Sequence, residues 1–207
     1  MNGTLVLIAG PSGAGKDTLI RLAQQRLRDD PRFVFVRRVI TRPGDAGAEE
    51  HWASSDEEFA REAASGAFAL HWEAHGLRYG VPREIDADLA AGRVVVVNVS
   101  RGVIPEARRR YLNSLAIIVT APIEMLAARL AARGREPASE HPGRLARPDL
   151  AACAEMGLLH VSNDRTPEDG AEALLAILRR CMPVTRQPLP MILACSSDPS
   201  STIGKSE

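Results

Sequence analysis

Short unbroken apolar runs alternate along this chain with stretches whose apolar residues recur every three or four positions. Leu5 to Ala9 is continuously apolar and Val94 to Val97 is four valines in succession. Runs this short, with no polar alternation, predict strands buried on both faces of a parallel sheet. Phe33 to Ile40 and Leu115 to Val119 read the same way, and His160-Val161 predicts a last short strand. Helices are predicted over Lys16 to Arg28, where Leu19, Ile20, Leu22, Ala23 and Leu27 share one side, and over Asp56 to Ala64, with Ser55 or Asp56 as cap. Further helices are predicted over Arg83 to Ala91, Pro105 to Tyr111, Ile123 to Ala132 and Pro167 to Cys181. Phe68 to Trp72 and Leu77 to Tyr79 read as strand pieces joined around His75-Gly76, and the polar, turn-rich stretch Thr41 to Ser55 as a loop. Strands alternating with helices predict an α/β fold built on a parallel sheet with right-handed crossovers.

The pattern fades in two places. Glu136 to Asp149 is charged, broken by prolines and poor in apolar residues. From Pro183 onward prolines, serines and isolated apolar residues have no period, which predicts a disordered tail over 183–207. The expected organisation is therefore one domain over 1–182. The chain's 207 residues and 45% hydrophobic content suit a single packed core.

Charge is balanced, 26 basic residues against 26 acidic, so no global field favours nucleic acid or a membrane surface. Three cysteines without CxxC or metal-ligand spacing fit a reducing compartment. No run approaches the ~20 apolar residues of a membrane span, and the expectation is a soluble, cytoplasmic protein. His51, His71 and His75 lie on separate segments with no partner cysteine, a poor pattern for a metal cluster. Oligomeric state is not legible. Two of the basic residues are lysines, Lys16 and Lys205, and Lys16 falls inside the strongest motif.

That motif is Gly10-Pro11-Ser12-Gly13-Ala14-Gly15-Lys16-Asp17-Thr18, which fits the G-x-x-x-x-G-K core of a Walker A loop between a buried strand and a helix. Glycines there let the backbone curl so that successive N–H groups face a phosphate. The helix start adds partial positive charge, and Lys16 supplies a full charge for the β- and γ-phosphates. The expected ligands are ATP and Mg²⁺. The residue after the lysine ordinarily carries a hydroxyl for Mg²⁺; here it is Asp17. Either Asp17 reaches the metal, directly or through water, or Thr18 takes that part.

With the loop placed, the chain resembles the guanylate-kinase-like group of P-loop kinases. Within that group it is similar to the ribose 1,5-bisphosphate phosphokinases, which make phosphoribosyl pyrophosphate in phosphonate degradation. The resemblance runs from about Thr4 to Arg180. It is carried by the loop with its Asp17, by Ile40-Thr41-Arg42 and Ala46 to His51, and by Leu70 to Gly80. Val97-Asn98-Val99-Ser100-Arg101, Arg133-Gly134-Arg135-Glu136, Ala138-Ser139-Glu140 and Arg144-Leu145-Ala146-Arg147 continue it. It implies a nucleoside monophosphate kinase-like core, an acceptor-binding part at about 39–79 and a lid at about 133–147. It also implies that Tyr79 contacts an acceptor phosphate and that Asn163 lies near the adenine.

Transfer between phosphates needs positioning and charge neutralisation more than a general base. The expected catalytic residues are accordingly Lys16 with Arg133, Arg135 and Arg144 of the lid. Arg42 is the candidate for gripping an acceptor phosphate, because a planar guanidinium suits two-point contact; Arg147 joins it on the substrate side. Guanylate kinases carry a second arginine three residues beyond the position of Arg42 and Asp-Ile-Asp where this chain has Asn98-Val99-Ser100. Both features are absent here, which favours a base-free phosphorylated sugar, with Asn98 and Ser100 facing its hydroxyls. A guanylate kinase and a non-catalytic binding module stand as the alternatives.

Overall fold

The computed structural model describes residues 3–43, 50–132 and 157–181. Five strands form one wholly parallel sheet: β1 (Thr4–Ala9), β2 (Phe33–Phe35), β7 (Val94–Asn98), β8 (Ser114–Thr120) and β9 (Leu159–Ser162), in the order β2-β7-β1-β8-β9. A second sheet has the order β4-β3-β6-β5, from β3 (Val39–Ile40), β4 (Trp52–Ala53), β5 (Phe68–Ala74) and β6 (Leu77–Pro82). The helices are α1 (Lys16–Arg26), α2 (Asp56–Ala64), α3 (Ile85–Ala90), α4 (Ile104–Arg110), α5 (Ile123–Ala132) and α6 (Pro167–Arg180). Among the described residues no helix is long and apolar enough to cross a membrane.

The unbroken apolar strands are explained by the period of two. Leu5, Leu7 and Ala9 pack on one face with Val95, Val97, Ala116 and Ile118, against Ile85 and Leu89 of α3 and Ile104 and Ala107 of α4. Val6 and Ile8 face the other way with Val94, Val96, Ile117 and Val119, against Leu19 and Ala23 of α1 and Leu174, Leu175 and Leu178 of α6. Each such side chain contributes about 1.5–3 kcal/mol on burial, so a polar residue on either face would be costly. The sheet's chemistry is thereby confined to its strand ends.

Phe33 to Ile40, expected as one strand, is two strands in different sheets. The last ladder bond to β7 runs from Val36 N to Val96 O, 2.9 Å; the chain then leaves the sheet at Arg37 and Arg38. Val39 resumes as a strand by pairing antiparallel to Gly80 and parallel to Trp52. The expected loop Thr41 to Ser55 correspondingly contains β4. The β5–β6 hairpin is longer than read from sequence and turns at His75 (φ 56°) and Gly76 (φ 68°), the paired positive φ of a tight hairpin turn. The expected disordered tail over 183–207 and the expected lid over 133–147 lie outside the described residues.

A candidate nucleotide and acceptor site

The glycine-rich loop leaves the C-terminal end of β1 and enters α1. Gly10, Gly13 and Gly15 have φ of 148°, 83° and 86°, values that L side chains rarely adopt. Space forbids side chains as well: a Cβ on Gly10 would lie 2.1 Å from Val119 O, and one on Gly15 would lie 2.3 Å from Asn163 Nδ2. Gly15 caps α1 without a side-chain hydrogen bond. Pro11, Gly13 and Ala14 are buried and Ser12 is half-buried. Lys16 spans the loop, its Nζ donating to Gly10 O and Pro11 O at 3.0 Å each. Glycines at strained φ, the start of a helix and one cation together form an anion cradle.

The cradle is braced from below by a residue far away in sequence. Asn163 follows β9, is 2% exposed, and donates from Nδ2 to Ala14 O at 2.8 Å and from its backbone N to Thr120 O at 2.7 Å. The resemblance implies a place near the adenine; in the fold its side chain supports the loop wall. Arg129 on α5 joins it, with Nη1 donating to Gly13 O at 3.4 Å and Nη2 to Asn163 O at 3.5 Å. Sequence reading missed Arg129, one arginine among many on an amphipathic helix. Its signal is three-dimensional: it reaches the loop across 116 positions of chain.

Asp17 and Thr18 sit in the first turn of α1, both half-buried. Asp17 meets Asn98, which ends β7 and pairs in register with Ile8 on β1. Asn98 Nδ2 donates to Asp17 Oδ1 at 2.7 Å. Sequence reading had assigned these residues to metal and sugar respectively; the fold places them in contact. Ser100, two residues on, starts a turn of 3-10 helix, its carbonyl accepting from Val103 N at 3.0 Å.

On the acceptor side, Arg42 follows β3 and is held at both ends by His51. The ring Nε2–H donates to Arg42 O at 3.1 Å, which leaves Nδ1 to accept from Arg42 Nη2 at 3.4 Å. This tautomer satisfies both contacts at once. Arg42 Nε is buried without a hydrogen-bond partner among the described residues. His51 is 8% exposed. Tyr79 stacks on Trp72 across the hairpin, centroids 5.4 Å apart and planes at 6°. The buried guanidinium of Arg38 lies 5.2 Å from the Tyr79 ring and 5.8 Å from that of Trp72, a cation–π stack that stiffens this wall.

Thr41, Arg42, Pro43, Ser54, Ser55 and Glu58 line a hollow of about 400 Å³. A neighbouring recess of about 480 Å³ carries Glu58, Glu62, Glu84 and Asp88 against the cation of Arg37. Its sign is wrong for a phosphate, so the smaller hollow at Arg42 is the candidate acceptor site. Arg133, Arg135, Arg144 and Arg147 lie outside the described residues.

No family model matches the chain. It is 54% identical over 180 residues to the ribose 1,5-bisphosphate phosphokinase PhnN of Acidiphilium cryptum, covering 87% of this chain and 94% of that one. To the protein of the same name from Rhodopseudomonas palustris it is 48% identical over 181 residues, covering 87% and 91%. Among solved structures it superimposes on a guanylate kinase from Anaplasma phagocytophilum with a TM-score of 0.64, at 20% identity and 88% coverage of both chains, a likeness of fold.

Proposed function

Because the chain belongs to the ribose 1,5-bisphosphate phosphokinase family, we propose that it transfers the γ-phosphoryl group of ATP to ribose 1,5-bisphosphate, forming 5-phosphoribosyl 1-diphosphate. The single observation that carries the reading within this chain is the braced loop. Three glycines at positive φ and Lys16 Nζ across the loop form a cradle that a polyphosphate fits and a side chain would fill. Charge-assisted hydrogen bonds to such a group contribute about 1.5–3 kcal/mol each.

In this reading Lys16 releases the loop carbonyls and follows the β- and γ-phosphates. Arg42, aimed by His51, takes the acceptor phosphate at the ring's 1-position, and Tyr79, Ser100 and Arg147 contribute on the same side. The attacking phosphate oxygen already carries negative charge, so these residues position it in line and no side chain need remove a proton. The residues fit a magnesium ion bound with ATP: Asp17 and Thr18 bring a carboxylate and a hydroxyl to the start of α1 beside the cradle, hard oxygen donors of the kind Mg²⁺ prefers. The ion would supply neutralisation of the β- and γ-oxygens. Charge on the transferring group also falls to Arg133, Arg135 and Arg144. Cytoplasmic phosphonate metabolism is the setting this reading implies.

The test is ADP release by the purified chain, with ribose 1,5-bisphosphate and with GMP as acceptors. The expected result is turnover with the bisphosphate about 10⁴-fold or more above GMP, the scale on which a missing polar contact discriminates substrates. Turnover of GMP alone would replace the acceptor, and turnover of neither would support a binding module instead.

A further inference from the structure

In P-loop enzymes generally, Mg²⁺ is held between a hydroxyl that follows the loop lysine and an acidic residue at the end of a neighbouring strand. Both places are occupied here. Asp17 follows Lys16, and Asn98 ends β7, the strand beside β1. The chemistries have changed over: the acid stands in the loop and the neutral hydrogen-bonding group stands on the strand.

We propose that Asp17 and Asn98 are a coupled exchange of the usual hydroxyl and carboxylate, in which Asn98 is a positioning residue that holds the Asp17 carboxylate for the magnesium of Mg-ATP. The inference rests on the phosphotransferase reading above. The contact is 2.7 Å, from Asn98 Nδ2 to Asp17 Oδ1. It engages one carboxylate oxygen, and among the described residues Oδ2 takes no hydrogen bond. One oxygen is thus fixed and one is open to a cation.

Neither residue makes sense without the other. Asp17 opposite a strand-end aspartate would set two carboxylates within about 3 Å of each other, a repulsion that would drive one of them to take up a proton. A serine at 17 opposite Asn98 would leave this corner with no negative charge for the metal. The pair as it stands keeps one charge and one donor. A purely structural role for Asp17, favourable charge at a helix start, does not require the strand residue to be an amide donor. It would survive loss of Asn98, whereas orientation of a metal ligand would not. Partners that orient a metal ligand change metal affinity about 10–100-fold when removed.

The experiment measures ATP dissociation constants of the full chain by calorimetry, once in EDTA and once in saturating Mg²⁺. The readout is the ratio of the two, the magnesium enhancement of binding. Asn98→Ala and Asp17→Ser are each expected to cut this ratio about 10–100-fold, Asn98→Ala with affinity in EDTA held within roughly threefold because the loop is untouched, and Asp17→Ser with affinity in EDTA raised because a negative charge beside the triphosphate is removed. The exchange variant Asp17→Ser with Asn98→Asp is expected to restore the ratio to within roughly threefold of the unaltered chain. Circular dichroism and thermal melts establish that each variant is folded, and the exchange variant carries the test should a single variant fail to fold. Asn98→Ala and Asp17→Ser variants with an unchanged ratio, or an exchange variant no better than the singles, overturn the inference and leave the phosphotransferase reading intact. An unaltered chain that binds no Mg-ATP overturns both.

Discussion

At Gly15 two demands meet: φ of 86° and a lining atom 2.3 Å from where a Cβ would stand. Gly15→Ala must push the Asn163 amide off Ala14 O or flatten the loop. It is expected to cost about 1–3 kcal/mol of stability and to abolish detectable ATP binding, both readable from a melt with and without Mg-ATP. The Arg42–His51 pair makes a second prediction at this scale. His51→Ala frees the guanidinium, and loss of one hydrogen bond of about 1–1.5 kcal/mol raises KM for the acceptor roughly tenfold. The KM for ATP should stay where it was; an equal rise in both would refute a specific hold on Arg42. At this scale legibility followed sequence distance. The loop was plain because its glycines, lysine and flanking elements are contiguous. Asn163 and Arg129 were not assignable as loop braces, since their contacts span 149 and 116 positions and no local spacing encodes them.

The elements were legible wherever burial was complete. Val94 to Val97 and Leu5 to Ala9 read as strands buried on both faces because helices cover both, as the two packed clusters show. Phe33 to Ile40 misled for the same reason. Its apolar residues belong to strands of two different sheets, and nothing in a continuous run marks where a chain changes sheets. Arg37 and Arg38 were the available sign, charges inside an apolar stretch. A third prediction belongs to the joint between α3 and α4. Tyr111 is 3% exposed and its hydroxyl donates to Asp86 Oδ1 at 2.6 Å. Burial first, and then this bond, push the phenol far above its ordinary value. The folded state therefore favours the neutral phenol, and its contribution is complete below the ordinary tyrosine value of about 10. As pH rises beyond that, the unfolded chain ionises first and stability falls. Tyr111→Phe is expected to flatten this alkaline decline in urea melts taken between pH 8 and about 11; an unchanged slope would place its origin elsewhere.

Across the whole molecule the two sheets divide the work. The parallel sheet presents its strand ends, Ala9 with the loop and Asn98 beside it, as a rigid nucleotide platform. The second sheet is joined to it through the three residues between β2 and β3 and carries Arg42, Tyr79 and the Arg38 stack. Balanced overall charge says nothing of the acceptor; local sign does. The hollow at Arg42 suits an anion, and the larger recess with four carboxylates does not. The choice of a sugar bisphosphate over a nucleotide rests on the relatives at 54% and 48% identity, a distinction that fold alone, shared with a guanylate kinase at TM-score 0.64, does not make.

The most direct measurement is phosphorus NMR of the chain with Mg-ATP and ribose 1,5-bisphosphate, following the anomeric phosphate. Conversion of that single resonance into the coupled pair of a 1-diphosphate, in step with loss of the γ-phosphate of ATP and abolished by Lys16→Met, is the predicted result. An anomeric phosphate that persists unchanged while ATP is hydrolysed to ADP and free phosphate, or transfer that survives Lys16→Met, would contradict it.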